Sequence, residues 1–208
     1  MSKIAIVAGC LGVVILGLLV FGIFGVTTYN NLVRLDEAVK SQWSQVENVY
    51  QRRFDLIPNL VRTVQGAADF ERSTLQAVIE ARSRVGQVAL PTAPDPTTNA
   101  QAFQQFEQAQ AGLSSALSRL LVVVERYPEL KANQNFLELQ TQLEGSENRI
   151  AQERRRYNEV AQQFNATVRR FPASIIARIT GFQQKEYFKA TAGAEQAPDV
   201  DFDFSTTR

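Results

Sequence analysis

The hydrophobic and polar positions divide the chain into an apolar N-terminal segment and a long amphipathic remainder. Residues 4–26 contain no charged side chain, and the residues after Val26 are polar or amphipathic. At 1.5 Å per residue, a helix over residues 4–26 is roughly 34 Å long, enough for a hydrocarbon core of about 30 Å. The pattern predicts a transmembrane anchor at residues 1–26 and one soluble domain after it.

Two alternatives, in which the apolar segment is a secretory signal or a lipoprotein signal, fit less well than an anchor. A secretory signal has a shorter apolar core and a small-residue cleavage site, and none follows at residues 27–31. Val7-Ala8-Gly9-Cys10 is similar to a lipoprotein signal, but the apolar run continues well past Cys10. We therefore favour an anchor that spans the bilayer, with the lipoprotein as the alternative.

Apolar residues then recur every three or four positions, which is typical of amphipathic helices. Nothing breaks the pattern between the span and the first of these helices, so we expect one rod to about Phe54. Asp55 suits the cap of a second helix, and Pro58 is tolerated in a first turn. The sequence thus predicts a corner near residues 54 and 55.

Prolines mark the remaining boundaries. A proline-rich loop at residues 90–100 follows the second helix, the third stops at Tyr127-Pro128, and the fourth stops at Pro172. Helices joined by mostly short loops favour an up-down-up-down bundle. The expected fold is all-α: a transmembrane helix continuous with a long antiparallel four-helix bundle at residues 27–190, including a short C-terminal amphipathic helix, and an extended tail at residues 191–208.

The fourth helix has the clearest period. Its apolar residues recur every seven positions and need a facing helix to bury them. The predicted bundle core consists of Leu32, Leu35, Trp43, Val46, Leu60, Val64, Leu120, Phe136, Leu143, Ile150, Tyr157, Phe164 and Phe171.

Composition excludes several kinds of chemistry. The chain has no histidine, and its one cysteine, Cys10, lies in the predicted span. An intrachain disulfide, a cysteine nucleophile in the soluble domain and any histidine base are therefore excluded, and zinc lacks its usual ligands. With 22 Lys and Arg against 21 Asp and Glu, the net charge indicates no class of partner. We predict no enzyme activity and no catalytic, cofactor-binding or metal-binding residues.

Acidic residues beside the heptad stripe leave two interpretations. Glu47, Glu147 and Glu153 would suit a carboxylate cluster like those of di-iron bundles, but such sites normally include histidine. The favoured interpretation is a buried ion pair or polar layer, with Arg154 as a cation, that fixes helix register. Asn30, Asn158 and Asn165, next to aromatic residues at helical spacing, are expected to cap or bridge inside the bundle rather than to bind a ligand.

Basic residues gather near the predicted membrane side. The expected topology brings Arg169, Arg170, Arg178 and Lys185 towards the bilayer. They would there either contact anionic lipid headgroups or remain solvated, and both alternatives stay open. No nucleic-acid-binding motif accompanies them, so we expect no nucleic acid partner.

Small residues one turn apart occur in the span. Ala5 precedes Gly9 by four positions, and Ala8 precedes Gly12 by four. Such pairs let spanning helices approach closely, which favours a homo-oligomer. The alternative is the ordinary tolerance of glycine in membrane helices.

The tail has a period of two. Val200, Phe202 and Phe204 alternate with aspartates, so an extended chain presents its apolar groups on one side. We predict a strand that docks on another subunit or on the bundle. A disordered acidic tail is the alternative.

Several motifs together resemble the LemA family of bacterial membrane proteins. The most extensive are Trp43-Ser44-Gln45-Val46-Glu47, Gln51-Arg52-Arg53-Phe54-Asp55-Leu56-Ile57-Pro58-Asn59-Leu60-Val61, Tyr127-Pro128-Glu129-Leu130-Lys131-Ala132-Asn133 and Arg156-Tyr157-Asn158. The resemblance covers nearly all of residues 27–188 and implies an N-terminal anchor and an antiparallel helical domain, usually predicted to be cytoplasmic. It implies no defined biochemical role, although related proteins are linked to organising membranes.

The sequence therefore predicts a self-assembling scaffold of the bacterial inner membrane that organises or shapes the membrane or a membrane complex. The alternative is a sensor or adaptor that passes a signal to a partner protein. Arg34 and Lys40 follow the span, against Lys3 before it, so the positive-inside rule leans towards a cytoplasmic domain. Expected partners are the lipid bilayer and further copies of the chain, with a membrane-protein partner left open.

Overall fold

The computed structural model describes residues 3–66, 70–88 and 96–189, without the side chains of residues 3–10 and 14. Helices make up nearly all of these ranges, and no strand occurs within them. The helices are α1 (Lys3–Gln65), α2 (Arg72–Val88), α3 (Ala100–Val124), α4 (Pro128–Lys131), α5 (Gln134–Arg169) and α6 (Ala173–Thr180). The predicted all-α fold with a long apolar N-terminal helix is confirmed.

Helix α1 is one uninterrupted helix from the apolar segment to Gln65, so the predicted corner at residues 54 and 55 is wrong. Pro58 lies inside the helix, and Asp55 accepts a hydrogen bond from Gln51 (2.8 Å) instead of capping a new one. An interior proline costs about 3 kcal/mol. The fully buried Leu60 and Val64 beyond it, with Ile57 just before it, contribute about 1.5–3 kcal/mol each, which outweighs that cost.

Two pairings organise the soluble part: α1 packs on α5, and α2 packs on α3. In the first pair, Gln42 bonds Glu153 and Arg53 bonds Glu147, so the residue number rises along α1 as it falls along α5. The two helices are therefore antiparallel, and α5 returns towards the span. The four-helix bundle of the sequence analysis stays an interpretation of these pairings.

The buried apolar residues form two clusters along the length of the domain. The cluster far from the span joins α1 residues 57–64 to α2, to the end of α3 and to the start of α5. The cluster nearer the span centres on Trp43 and Tyr157, with Phe103 and Phe106 from the start of α3. Helix α3 therefore runs away from the membrane.

Thirteen core residues were predicted, and the burial of those on α5 follows the heptad until that helix ends. Eleven of them are buried, and Leu35 is partly buried. Phe171 is 77% exposed, so its assignment to the core is wrong. Helix α5 ends at Arg169, and beyond that point a seven-residue spacing no longer returns a side chain to the same face.

Candidate functional site

An extended segment at residues 182–189, here called the strap, lies between α1 and α5. It follows α6, which ends at Gly181 in the left-handed region (φ 80°), where glycine carries no steric penalty. The Phe182 N–H donates to the Ala177 carbonyl (3.0 Å), which satisfies one of the free carbonyls at the end of α6. The hydrophobic pattern of residues 182–189 does not predict the strap.

Two asparagines of α5 hold the strap by its backbone. Asn165 donates to the Lys185 carbonyl (2.8 Å) and accepts from the Lys185 N–H (2.7 Å). Asn158 makes the same two bonds with Phe188, both at 2.9 Å. Seven helical residues span about 10.5 Å, and three extended residues span about 9–10 Å, so the two sets of bonds form together. The predicted bridging role of these asparagines describes this arrangement.

The side chains of the strap also point into the core, at the same spacing of three residues. Phe188 stacks on Trp43, with ring centroids 5.9 Å apart, and packs on Phe103 at 4.8 Å. Towards the span, Phe182 packs on Tyr29 at 6.2 Å. Tyr157, at the centre of this cluster, donates its hydroxyl to the Glu186 carbonyl (3.1 Å). The strap therefore completes the core nearer the span.

Between these aromatic contacts lies a buried ion pair. Lys185 Nζ is 2.9 Å from Asp36 Oδ1, and the two side chains are 4% and 12% exposed. Lys185 also reaches Thr97 Oγ1 (3.4 Å), and the Thr97 carbonyl accepts from the Glu186 N–H (2.8 Å). Lys185 therefore does not face lipid, and its assignment to the membrane-proximal basic residues is wrong.

The surroundings of Asp36 favour its ionised form. Burial alone would raise the pKa of Asp36, but hydrogen bonds from Lys40 and Lys185 and the charges of both ammonium groups outweigh that effect. The pKa of Asp36 therefore lies below its ordinary value of 3.8. A carboxylate with a lowered pKa stays charged at neutral pH, so this group holds a cation and is unsuited to act as a general base.

A second polar group lies further from the span. Arg53 is 1% exposed and donates to Glu147 (2.5 Å), to Ser114 (2.7 Å) and to Gln110. It connects α1, α3 and α5 at one level. The favoured interpretation of Glu147, a polar layer, matches this geometry, but the cation is Arg53 and not Arg154.

The other predicted acidic residues bind separate partners. Glu47 accepts from the Trp43 indole (2.7 Å), while Glu153 accepts from Gln42 (2.6 Å) and from Arg156 (3.0 Å). Arg154 lies 3.4 Å from Glu107. Across the part of the chain that the structure describes, no three potential metal ligands come together. The carboxylate cluster is therefore not formed by these residues.

The remaining predicted sites lie at the span and beyond the strap. The first part of α1 is long and apolar enough to cross a membrane, and its described side chains from Leu11 to Val26 are largely exposed. Gly12 has open space around it. The side chains of Ala5, Ala8 and Gly9, and the tail with Val200, Phe202 and Phe204, lie outside the described residues. Arg169, Arg170 and Arg178 are exposed at the end of α5 and on α6.

Comparison with known proteins assigns the fold to a family. The model of the LemA family matches residues 42–202, which include α5, α6 and the strap. This chain belongs to the LemA family. The membership confirms the resemblance carried by the sequence motifs.

Curated relatives extend across most of the chain. It is 30% identical to magnetosome protein MamQ 2 of Paramagnetospirillum magneticum over 176 residues, covering 77% of this chain and 64% of that protein. It is 28% identical to magnetosome protein MamQ of Magnetospirillum gryphiswaldense, covering 86% of this chain and 71% of the relative. It is 24% identical to protein LemA of Metamycoplasma hominis, covering 86% and 75%. The chain thus spans slightly less than two thirds of MamQ 2.

The start of α1 agrees with a membrane protein. It is apolar and long enough to cross a membrane, which fits a membrane anchor. Beyond it, the strap and the Arg53 group hold segments of α1, α3 and α5 together.

Proposed function

We propose that this LemA-family protein is a membrane-anchored scaffold whose copies assemble in the inner membrane and organise or shape it. The observation that carries the proposal is the continuity of α1. One helix of 63 residues, about 95 Å long, includes both the apolar span and the arm that packs on α5. Contacts between spans in the bilayer therefore fix the positions of the soluble domains.

The polar groups near the core fix the alignment of this α1 arm along α5. The strap ties α1 to α5 near the span through Asp36 and Lys185, and the Arg53 group ties them again further out. Polar groups in a helical interface specify one alignment of the helices, as an apolar seam alone does not. A scaffold needs this property, because copies must present the same surface to one another.

The relatives' names add support of a limited kind. MamQ 1 and MamQ 2 of Paramagnetospirillum magneticum are named magnetosome proteins, and protein LemA gives its name to the family. We infer a membrane-associated scaffold role for this chain. The soluble domain is proposed to face the cytoplasm, where Arg34 and Lys40 obey the positive-inside rule.

Extraction of the full-length chain into native nanodiscs from its own membrane tests the proposal. The scaffold predicts a uniform particle that holds several copies of this chain and little else. A particle holding one copy together with a stoichiometric second protein would overturn the scaffold and favour the sensor or adaptor. Single-particle imaging counts the copies, and mass spectrometry identifies any second chain.

Sidedness needs a separate measurement. Protease added to spheroplasts should leave the soluble domain intact, whereas protease added to inverted vesicles should remove it. Rapid cleavage in spheroplasts would place the domain outside the cytoplasm. This outcome would change the localisation without affecting the copy number of the particle.

A further inference from the structure

Helix α6 exposes an apolar face. Phe171 and Ile179 are each 77% exposed, and Ile175, midway between them, is 44% exposed. Positions four apart lie one above the other on a helix, so Ile175 and Ile179 share a face, while Phe171 lies in the turn just before α6. On the opposite side, Ala173 and Ala177 are buried against the domain. Ala173 and Ala177 therefore hold the helix on the domain, while Ile175 and Ile179 point away from it.

Helix α6 lies next to the C-terminal end of the apolar segment of α1. A Cβ built on Gly25, in the last turn of the apolar segment, would lie 3.9 Å from Ile176 Cδ1. The next aromatic on α1, Tyr29, is 44% exposed and contacts Phe182 at the start of the strap. Tyrosine is enriched at the level of lipid headgroups. Ile176 belongs to α6, so this contact places α6 beside the end of the apolar segment of α1.

The charge around α6 is positive. Arg169, Arg170 and Arg178 are exposed, and none of them forms an ion pair with an acidic group in the described ranges. The sequence has no Asp or Glu from residue 160 to residue 185. The first acidic residues of α1, Asp36 and Glu37, are bound to lysines. Within the described ranges, therefore, no acidic side chain pairs with the three arginines.

We propose that α6 and Phe171 dock on the anionic lipid surface beside the span, with Phe171, Ile175 and Ile179 inserted among the lipids and the arginines on phosphate groups. Apolar residues with basic neighbours are what an interfacial helix uses to lie in a bilayer surface. The span belongs to the same chain and already holds α6 near this surface. Docking α6 therefore loses little further freedom of motion, and a short apolar face is enough. This second contact fixes the tilt of the soluble domain relative to the membrane, and it does not depend on self-assembly.

Tryptophan reporters in the full-length chain test the contact. Phe171→Trp and Ile179→Trp place the reporter on the α6 face, and Val122→Trp places it on α3, at a side chain that is 71% exposed and far from the span. The parent protein, whose one tryptophan, Trp43, is buried, gives the baseline. Each variant is reconstituted in nanodiscs that contain brominated phosphatidylcholine, with or without phosphatidylglycerol.

We expect brominated lipid to lower the added emission of both α6 reporters roughly twofold or more, because interfacial residues lie about 5–10 Å into the headgroup and acyl boundary. The Val122→Trp emission should not change. If both α6 reporters behave as Val122→Trp does, the proposal is wrong. If they are shielded from aqueous acrylamide but not quenched by lipid, a second copy or another protein covers α6, and the proposal is equally wrong.

The arginines are tested by charge removal. Arg169→Gln with Arg178→Gln should abolish the extra quenching that phosphatidylglycerol produces. The matched control is Arg149→Gln with Arg155→Gln, two exposed arginines of α5 that lie further from the span. Equal losses in the two double variants would show that the α6 arginines have no specific contact with anionic lipid.

Discussion

Asn165 replaces a neighbouring strand for Lys185, because its side-chain amide both donates to the Lys185 carbonyl (2.8 Å) and accepts from the Lys185 N–H (2.7 Å). A buried backbone without such partners loses its hydrogen bonds to water and gains none in return. Asn165 is itself buried, as is Lys185. The strap therefore stays inside the domain without belonging to any sheet.

Asn165→Ala should release the strap. The substitution leaves the N–H and the carbonyl of Lys185 buried and unpaired, at about 1–3 kcal/mol for each group. We expect a loss of about 2–4 kcal/mol in the free energy of unfolding and faster amide exchange at residues 182–189. The control is Asn148→Ala, an exposed asparagine of α5, which should change stability by less than about 0.5 kcal/mol. Unchanged exchange in Asn165→Ala would mean that the strap is held by its side chains alone.

Acid should weaken the domain through Asp36. Its folded pKa lies below the ordinary value of 3.8, so its contribution to stability is present above about pH 4 and is lost as the pH falls through the lowered pKa. Asp36→Asn should remove this part of the pH dependence. It should also cost about 3 kcal/mol at neutral pH, because Lys185 is left buried without its carboxylate.

Glu37→Gln is the control for that experiment. Glu37 pairs with Lys40 at 2.9 Å, but its side chain is 64% exposed, so the pair contributes no more than about 1 kcal/mol. Thermal unfolding of the detergent-solubilised chain, from pH 7 down to about pH 2, compares the variants. The same acid transition in Asp36→Asn and in the parent would assign the pH dependence to other carboxylates.

Phe164 and Phe171 occupy equivalent heptad positions with opposite environments. Phe164 is 0% exposed, and Phe171 is 77% exposed. Phe164→Ala should therefore cost about 3–5 kcal/mol, because it leaves a cavity in a packed core. Phe171→Ala should change the stability of the detergent-solubilised chain by less than about 0.5 kcal/mol. Equal melting temperatures for the two variants would contradict the burial of Phe164.

The seven-residue spacing in the sequence predicts which side chains are buried only within one continuous helix. From Phe136 to Phe164 the spacing of seven alone predicts burial, because α5 is unbroken and α1 faces it. It failed at Phe171, where the helix had ended. The α1 corner failed for the opposite reason: Pro58 and Asp55 are typical of a helix start, and the burial of the residues after Pro58 outweighed that local preference.

The strap could not be predicted from periodicity, because its contacts join backbone to side chains 20 and 30 residues earlier in the chain. One signal was present. Asn158 and Asn165 are seven apart, and Phe182, Lys185 and Phe188 are three apart, which are matching lengths of helix and of extended chain. The partner of Glu147 was missed because the first helix was expected to end at about Phe54, next to Arg53, whereas α1 continues to Gln65.

Arg53 and Gln110 should be energetically coupled. Arg53→Met leaves the buried Gln110 oxygen without its donor and should cost about 1–3 kcal/mol. In the double variant with Gln110→Leu, both polar groups are gone, and part of that loss should be recovered. A double-mutant cycle in urea measures the coupling, and strictly additive losses would show that the two side chains act independently.

The span should set the size of the assembly. Gly9→Leu with Gly12→Leu places bulky side chains where we expect spanning helices to approach closely, so fewer copies should remain in each native nanodisc. Gly17→Leu with Gly22→Leu is the matched control. At 100° per residue these two glycines lie off the face shared by Ala5, Ala8, Gly9 and Gly12.

Circular dichroism separates lost assembly from lost folding in these variants. Gly12, Gly17 and Gly22 all have open space around them within one chain, so leucine at these positions should leave the helix content unchanged. Fewer copies with unchanged helicity, seen only for the Gly9 and Gly12 pair, would support association through that face. Parent-sized particles in both double variants would move the contact between copies to the soluble domain. In that case the long α1 arm would position the subunits without joining them.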